Sequence, residues 1–162
     1  MRSLSGRRGA SDSAPQRDAE RAALRRISSV LGVRSLEPNK ALSIGDGRVV
    51  LDGFYHDSGR VVIVEVNAHI GKMKSAQKHK VINDAFKLSV VSKLHARRWR
   101  GKKAERVLVF VDQAARDSFG PRSWATAAFN AAGITLRVCK CTPAERAALL
   151  IAQKGQDLRF HA

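Results

Sequence analysis

This chain has little cysteine, and few acidic residues beside its basic ones. Only Cys139 and Cys141 are present, spaced C-x-C, too few for a disulfide framework or an unaided four-ligand zinc site, and they read as buried reduced thiols. No apolar run approaches the roughly 20 residues that span a bilayer, which argues against a membrane partner. No Gly-rich phosphate loop, nucleophile elbow or Cys–His pairing is visible, so a nucleotide switch and a hydrolase with a covalent intermediate are both disfavoured. His56, His69, His79, His95 and His161 are scattered without metal-ligand spacing, and only His69 lies near the residues singled out below. Residues 1–20 are basic but lack the apolar stretch of a secretory signal, so the expected compartment is the cytoplasm.

The shortage of acid has a positive counterpart. Thirty Lys and Arg face 14 Asp and Glu in 162 residues, a formal net charge of +16. Self-repulsion of that size is normally offset by binding a polyanion, and nucleic acid is the expected partner. With 44 % hydrophobic residues the chain can build one core. The expected organisation is a flexible basic arm over residues 1–16, in which Arg2, Arg7 and Arg8 either touch phosphates or are merely solvated, and a single domain over 17–162.

Helical spacing of Ala22, Ala23, Ile27, Val30 and Leu31 predicts a helix from about Asp18 to Leu31, stopped by Gly32. The runs RVVLDGFY at 48–55 and RVVIVEVN at 60–67, separated by His56-Asp57-Ser58-Gly59, predict a β-hairpin. Ser75 is the expected N-cap of a helix reaching about Leu94, VLVFV at 107–111 a central strand, 121–132 a helix stopped by Gly133, and ITLRVCKC at 134–141 a strand. Thr142, Pro143 and Glu145 form a capping-box signature for a last helix, expected to run to about Gln153 and close at Gly155. This order of helix, two or three antiparallel strands, helix, strand, helix, strand, helix describes a mixed sheet flanked by helices, an α/β sandwich.

Chemistry concentrates on the hairpin and the helix after it. Glu65 and Asn67 share a strand face with Val61 and Ile63. A turn of two or four residues pairs Tyr55 with Arg60 and sets Asp52 diagonal to Glu65, roughly 7 Å apart at Cβ, close enough to share one cation. A three-residue turn with Gly59 in a bulge sends Asp52 to the other face, and the sequence leaves both registers open. Glu65 sits in the most hydrophobic strand, where an uncompensated carboxylate is costly, so it should have a cationic partner. Gln77, Lys80, Asp84 and Lys87 then form one helical stripe within about 80° of arc, beside the apolar row Val81, Ala85 and Leu88.

These residues resemble the PD-(D/E)XK nuclease superfamily, the restriction-endonuclease-like fold. Asp52 in LDG resembles the family's first acid, and Glu65-Val66-Asn67, 13 residues on, resembles its E-x-K. QKHK and DAFKL in the following helix are similar to the corresponding helix, and Glu20 in DAERAAL resembles an extra glutamate of resolvase-like branches. The resemblance covers roughly residues 18–141. It implies an α/β/α sandwich with a mixed sheet and an αβββαβ core, to which a C-terminal helix is added here. It also implies a hydrolase, a metal-dependent endonuclease cutting DNA phosphodiester bonds. Asp52 and Glu65 would hold Mg²⁺ or Mn²⁺, while Asn67, Gln77 and Lys80 complete the catalytic set. Asn67 stands where the family has lysine, and Lys80 is the expected substitute, with Lys78 and Lys72 behind it. Without a lysine in the site, the domain would be an inactive DNA-binding module. Outside the resemblance, Arg97, Arg98, Arg100, Lys102 and Lys103 of RRWRGKK are expected to grip the nucleic-acid backbone, with Trp99 either stacked on a base or folded onto the core. A homodimer and a basic RNA-associated protein both stay open.

Overall fold

A computed structural model describes residues 14–159 of the chain, with side chains to residue 155. The element order is α1 (Ala14–Val30), β1 (Glu37–Ile44), β2 (Gly47–His56), β3 (Arg60–Asn67), α2 (Ser75–Leu94), β4 (Lys103–Phe110), α3 (Gln113–Asp117), α4 (Trp124–Ala131), β5 (Ile134–Val138) and α5 (Pro143–Arg159). The strands form one mixed sheet in the order β1-β2-β3-β4-β5, antiparallel through β3 and parallel from β3 to β5.

β3 lies at the centre and explains both cores. Its alternate residues Val61 and Ile63 pack with Val81, Ala85, Leu88 and Val91 of α2, with Phe119 and with Phe129 of α4. Val62, Val64 and Val66 point the other way, onto Ala19, Ala23, Leu24 and Ile27 of α1 and Leu149 of α5. The result is an α/β fold with helices on both faces of a five-stranded sheet. A strand covered on both sides reads as a continuous apolar run, which is how VVIVEV looks.

Several boundaries differ from expectation. α1 starts at Ala14, so the end of the expected basic arm is helical, and residues 1–13, with Arg2, Arg7 and Arg8, lie outside the described residues. Gly32 does end α1, at φ +64°. The N-cap of α2 is Lys74, without a side-chain cap bond, and Ser75 is the first helical residue. α4 is shorter than expected because Ser123 caps it, and β5 stops at Val138. The short α3 had no periodic signal. The capping box is present: Thr142 N donates to Glu145 Oε2 at 2.9 Å and Glu145 N donates to Thr142 Oγ1 at 3.2 Å. α5 nevertheless continues through Gly155.

Candidate active site

The hairpin decides where Asp52 goes. Asp57 N donates to Arg60 O at 2.9 Å, closing a two-residue tip of Ser58-Gly59, and the pairs above it are His56↔Val61, Tyr55↔Val62, Phe54↔Ile63 and Gly53↔Val64. Asp57 Oδ1 fixes the tip by accepting from Gly59 N and Arg60 N, both at 2.8 Å. The register thus slides two residues from Tyr55–Arg60, which preserves the face; Asp52 and Glu65 are the next residues beyond the last pair, Gly53↔Val64. On the other side of β2 the ladder passes from Pro38↔Gly53 to Lys40↔Leu51, with Asn39 between them in the left-handed region at φ +53°. This irregularity breaks the alternation of β2: Leu51 and Phe54 both join the core under α2. Asp52, freed from a regular ladder, accepts a hydrogen bond from Val66 N at 2.8 Å.

Glu65 is 2 % exposed. Its Oε2 lies 2.6 Å from Lys87 Nζ, and its Oε1 has no hydrogen-bond partner among the described residues. Lys87 also approaches Asp84 at 3.7 Å and donates to Val50 O at 3.2 Å. Burial pushes the Glu65 carboxyl well above its ordinary value; the negative charges of Asp52 and Asp84 add to the rise, and Lys87 opposes it. Asp84 is raised for the same first reason, with Lys87 and Lys80 opposing. Lys87 is raised because its acidic neighbours outweigh its burial. Asp52, Glu65, Asp84 and Lys87 therefore form one electrostatic unit on two strands and a helix.

The remaining expected residues are placed differently. Lys80 is exposed and acts on Asp84 through space; Lys87, two turns further along the same stripe, is the lysine in contact with Glu65. Gln77 is half-buried and its Oε1 has no partner among the described residues. Asn67 is buried and engaged locally, its Oδ1 accepting from His69 N at 3.2 Å. The loop after it is pinned, with Gly71 N donating to Asp112 Oδ2 at 2.9 Å and Ile70 N donating to Gln153 Oε1 at 2.7 Å. Glu20 sits on α1, in the helix layer on the opposite face of the sheet. Asp84 and Lys87 could have been added from the stripe they share with Lys80; what the sequence lacked was the height of α2 relative to β3.

Asp52 and Glu65 are the two carboxylates of this unit contributed by neighbouring strands. Among the described residues, no group of three or more His, Cys, Asp or Glu is arranged to hold a metal ion. The narrower indication is the unpartnered oxygen of buried Glu65, with the Asp52 carboxylate close enough to shift its ionisation.

Trp99 is in the core, 8 % exposed, stacked on His95 at 5.1 Å and packed against Phe54 at 6.4 Å between ring centres. It has no face to offer a base. Arg97, Arg98 and Arg100 around it are exposed. The Lys102 ammonium donates to Asp57 O, and Lys103 lies 3.3 Å from Glu105, which also pairs with Arg60 at 2.6 Å. Lys103 is level with Arg60, and Leu108 with Glu65, so the basic segment stands five residues, about 16 Å, along the sheet from the acidic unit. No protein-family model matches the chain, and comparison with curated proteins gives no match.

Proposed function

We propose that the protein is a metal-dependent nuclease of the restriction-endonuclease-like fold, acting on DNA. The observation that carries this reading is the Glu65 carboxylate, buried in the central strand with one oxygen unpartnered among the described residues and the Asp52 carboxylate of the neighbouring strand close enough to raise its ionisation. A buried charge of this kind costs stability, and such groups concentrate where chemistry requires them. Two further facts support it: the order α1 β1 β2 β3 α2 β4 follows the αβββαβ core of that fold, and the net charge of +16 suits a polyanionic substrate.

In this reading Asp52 and Glu65 would hold Mg²⁺ or Mn²⁺, which when bound lowers the pKa of a water and neutralises charge on the phosphate. Lys87 takes the role expected of Lys80: it stands beside Glu65 and supplies the ammonium that Asn67 cannot. Gln77, with its unpartnered oxygen, orients water or phosphate at the edge of the unit. Arg97, Arg98, Arg100, Lys102 and Lys103 hold the backbone without reading sequence.

The test is incubation with supercoiled, linear, single-stranded and branched DNA in Mg²⁺, Mn²⁺ or EDTA. Cleavage that requires the metal, and is lost in Glu65→Gln and Asp52→Asn while DNA binding persists, is the expected result. The Lys87–Glu65 contact at 2.6 Å also favours a second reading, a binding module in which lysine permanently neutralises the old site. In that case the wild type binds DNA and never cuts it.

A further inference from the structure

We propose that a pocket between α2 and α4 is a nucleobase subsite, in which Trp124 stacks on an unpaired base while Lys78 meets the adjoining phosphate. It rests on the nucleic-acid reading above and adds a second contact point, on the opposite flank of α2 from Glu65. The pocket has a volume of about 180 Å³; Ile82, Phe119 and Trp124 form its apolar walls, and Lys78 and His79 line it as well. Among the described residues, no acidic side chain lines it.

The walls are fixed before any ligand arrives. Phe119 is buried in a row of rings, 6.2 Å from Phe110 and 5.4 Å from Phe129 between centres. Trp124 opens α4, whose first turn is held by Thr126 N donating to Ser123 Oγ at 3.2 Å and Thr126 Oγ1 donating to Gly120 O at 2.9 Å. Yet Trp124 itself is 70 % exposed. A solvent-facing indole at the start of a capped helix, beside the Lys78 ammonium, is the arrangement that binds single strands, because every base offers a π-face and every nucleotide a phosphate.

Charge selects the occupant. A second copy of this chain would bring another +16 to a surface already carrying Lys78, whereas a nucleotide strand is attracted to it. Position agrees. Ile82 and Asp84 are two residues apart on α2 and so about 200° apart around it, placing the pocket and the acidic unit on opposite sides of one helix about 10 Å wide. A strand held at Glu65 has only to cross that helix to deliver an unpaired base. A base within a duplex has its faces covered by its neighbours and cannot stack there.

Fluorescence in EDTA tests this without cleavage. Trp99 is buried, so ligand-contact quenching reports Trp124. Titration with a short oligodeoxythymidylate is expected to quench the emission to saturation; in anisotropy titrations of the same oligonucleotide carrying an end label, Trp124→Ala is expected to weaken binding by about fivefold or more while affinity for labelled blunt duplex is unchanged. Trp124→Phe, which keeps a stacking ring, restores most of the affinity; Lys78→Ala lowers the log–log salt slope by about 0.7, one phosphate of a single strand. Unchanged oligonucleotide affinity in Trp124→Ala, or binding without quenching, overturns the subsite. So does concentration-dependent self-association that Trp124→Ala abolishes, which would make the pocket an interface between copies. Quenching that persists in a protein that never cuts DNA supports the subsite and removes only the nuclease reading; failure to bind any nucleic acid removes both.

Discussion

Glu65 has one oxygen on an ammonium and the other without a partner among the described residues, and that asymmetry makes its ionisation testable. Its carboxyl is raised in the fold, above all by burial. A carboxyl raised on folding favours the folded state fully when protonated, below its unfolded pKa, and that contribution is lost as pH climbs through the raised value. Stability from this residue therefore falls as pH rises out of the ordinary carboxylate range. Glu65→Gln, which cannot ionise, should flatten the fall in urea melts across a pH series. The difference between the two curves separates Glu65 from Asp57, Glu105, Asp112 and Glu145, whose lowered carboxyls act in the opposite sense. The same variant tests the cation: Mg²⁺ at a hundred times its dissociation constant should stabilise the wild type by about 2.7 kcal/mol and leave Glu65→Gln unmoved. The two lysines separate as well. Lys87→Met strands buried Glu65 and half-buried Asp84, and should cost about 3 kcal/mol at neutral pH with partial recovery in acid as the carboxyls protonate. Lys80→Ala, at an exposed position, should stay within about 0.5 kcal/mol.

At the scale of elements, local bonds separate what was legible from what was not. Thr142 and Glu145 form the capping box that their spacing announces, because both bonds lie within four consecutive residues. Glu145 also pairs with Arg26 at 2.9 Å, tying α5 to α1. Thr142→Ala should therefore cost about 1 kcal/mol in a urea melt, and Glu145→Ala more, since it removes the inter-helix pair too. The end of α5 was not legible. A glycine inside a helix costs only about 1 kcal/mol, and Gln153, two residues before Gly155, is bonded through both its amide atoms to Ile70 of a distant loop. Tertiary contact overrode a local stop signal. The hairpin register was not legible even to its parity, because Asp57's grip on the tip is a side-chain choice that pattern does not encode. The tight packing at Gly53, next to Asp52, was hidden for a similar reason: a Cβ there would lie 2.6 Å from Leu24 Cδ2 and 3.3 Å from Val64 Cβ. Gly53→Ala should destabilise by about 1–3 kcal/mol through overpacking of α1 on β2. Gly59→Ala, with only Asp57 Oδ1 at 4.0 Å from its Cβ, should be near neutral and serves as the control.

For the whole molecule, composition announces the charge but not where it stands. The exposed guanidiniums of Arg97, Arg98 and Arg100 lie beyond the C-terminal end of α2, and the strand they lead into meets β3 about 16 Å from Glu65. A duplex rises about 3.4 Å per base pair, so nucleic acid held at both places extends over about five pairs of backbone. The acidic unit repels phosphate unless a cation intervenes, and the arginines attract it in any case. Binding and cutting should therefore come apart. Replacing Arg97, Arg98 and Arg100 with alanine should weaken duplex binding and reduce the log–log salt slope by about 0.9 for each phosphate no longer neutralised. The Mg²⁺-induced stabilisation that depends on Glu65 should survive in the same variant. An unchanged salt slope would show that the backbone is gripped elsewhere on this +16 surface, and a missing Mg²⁺ response would mean that the loop supports the shape of the site rather than its ligand.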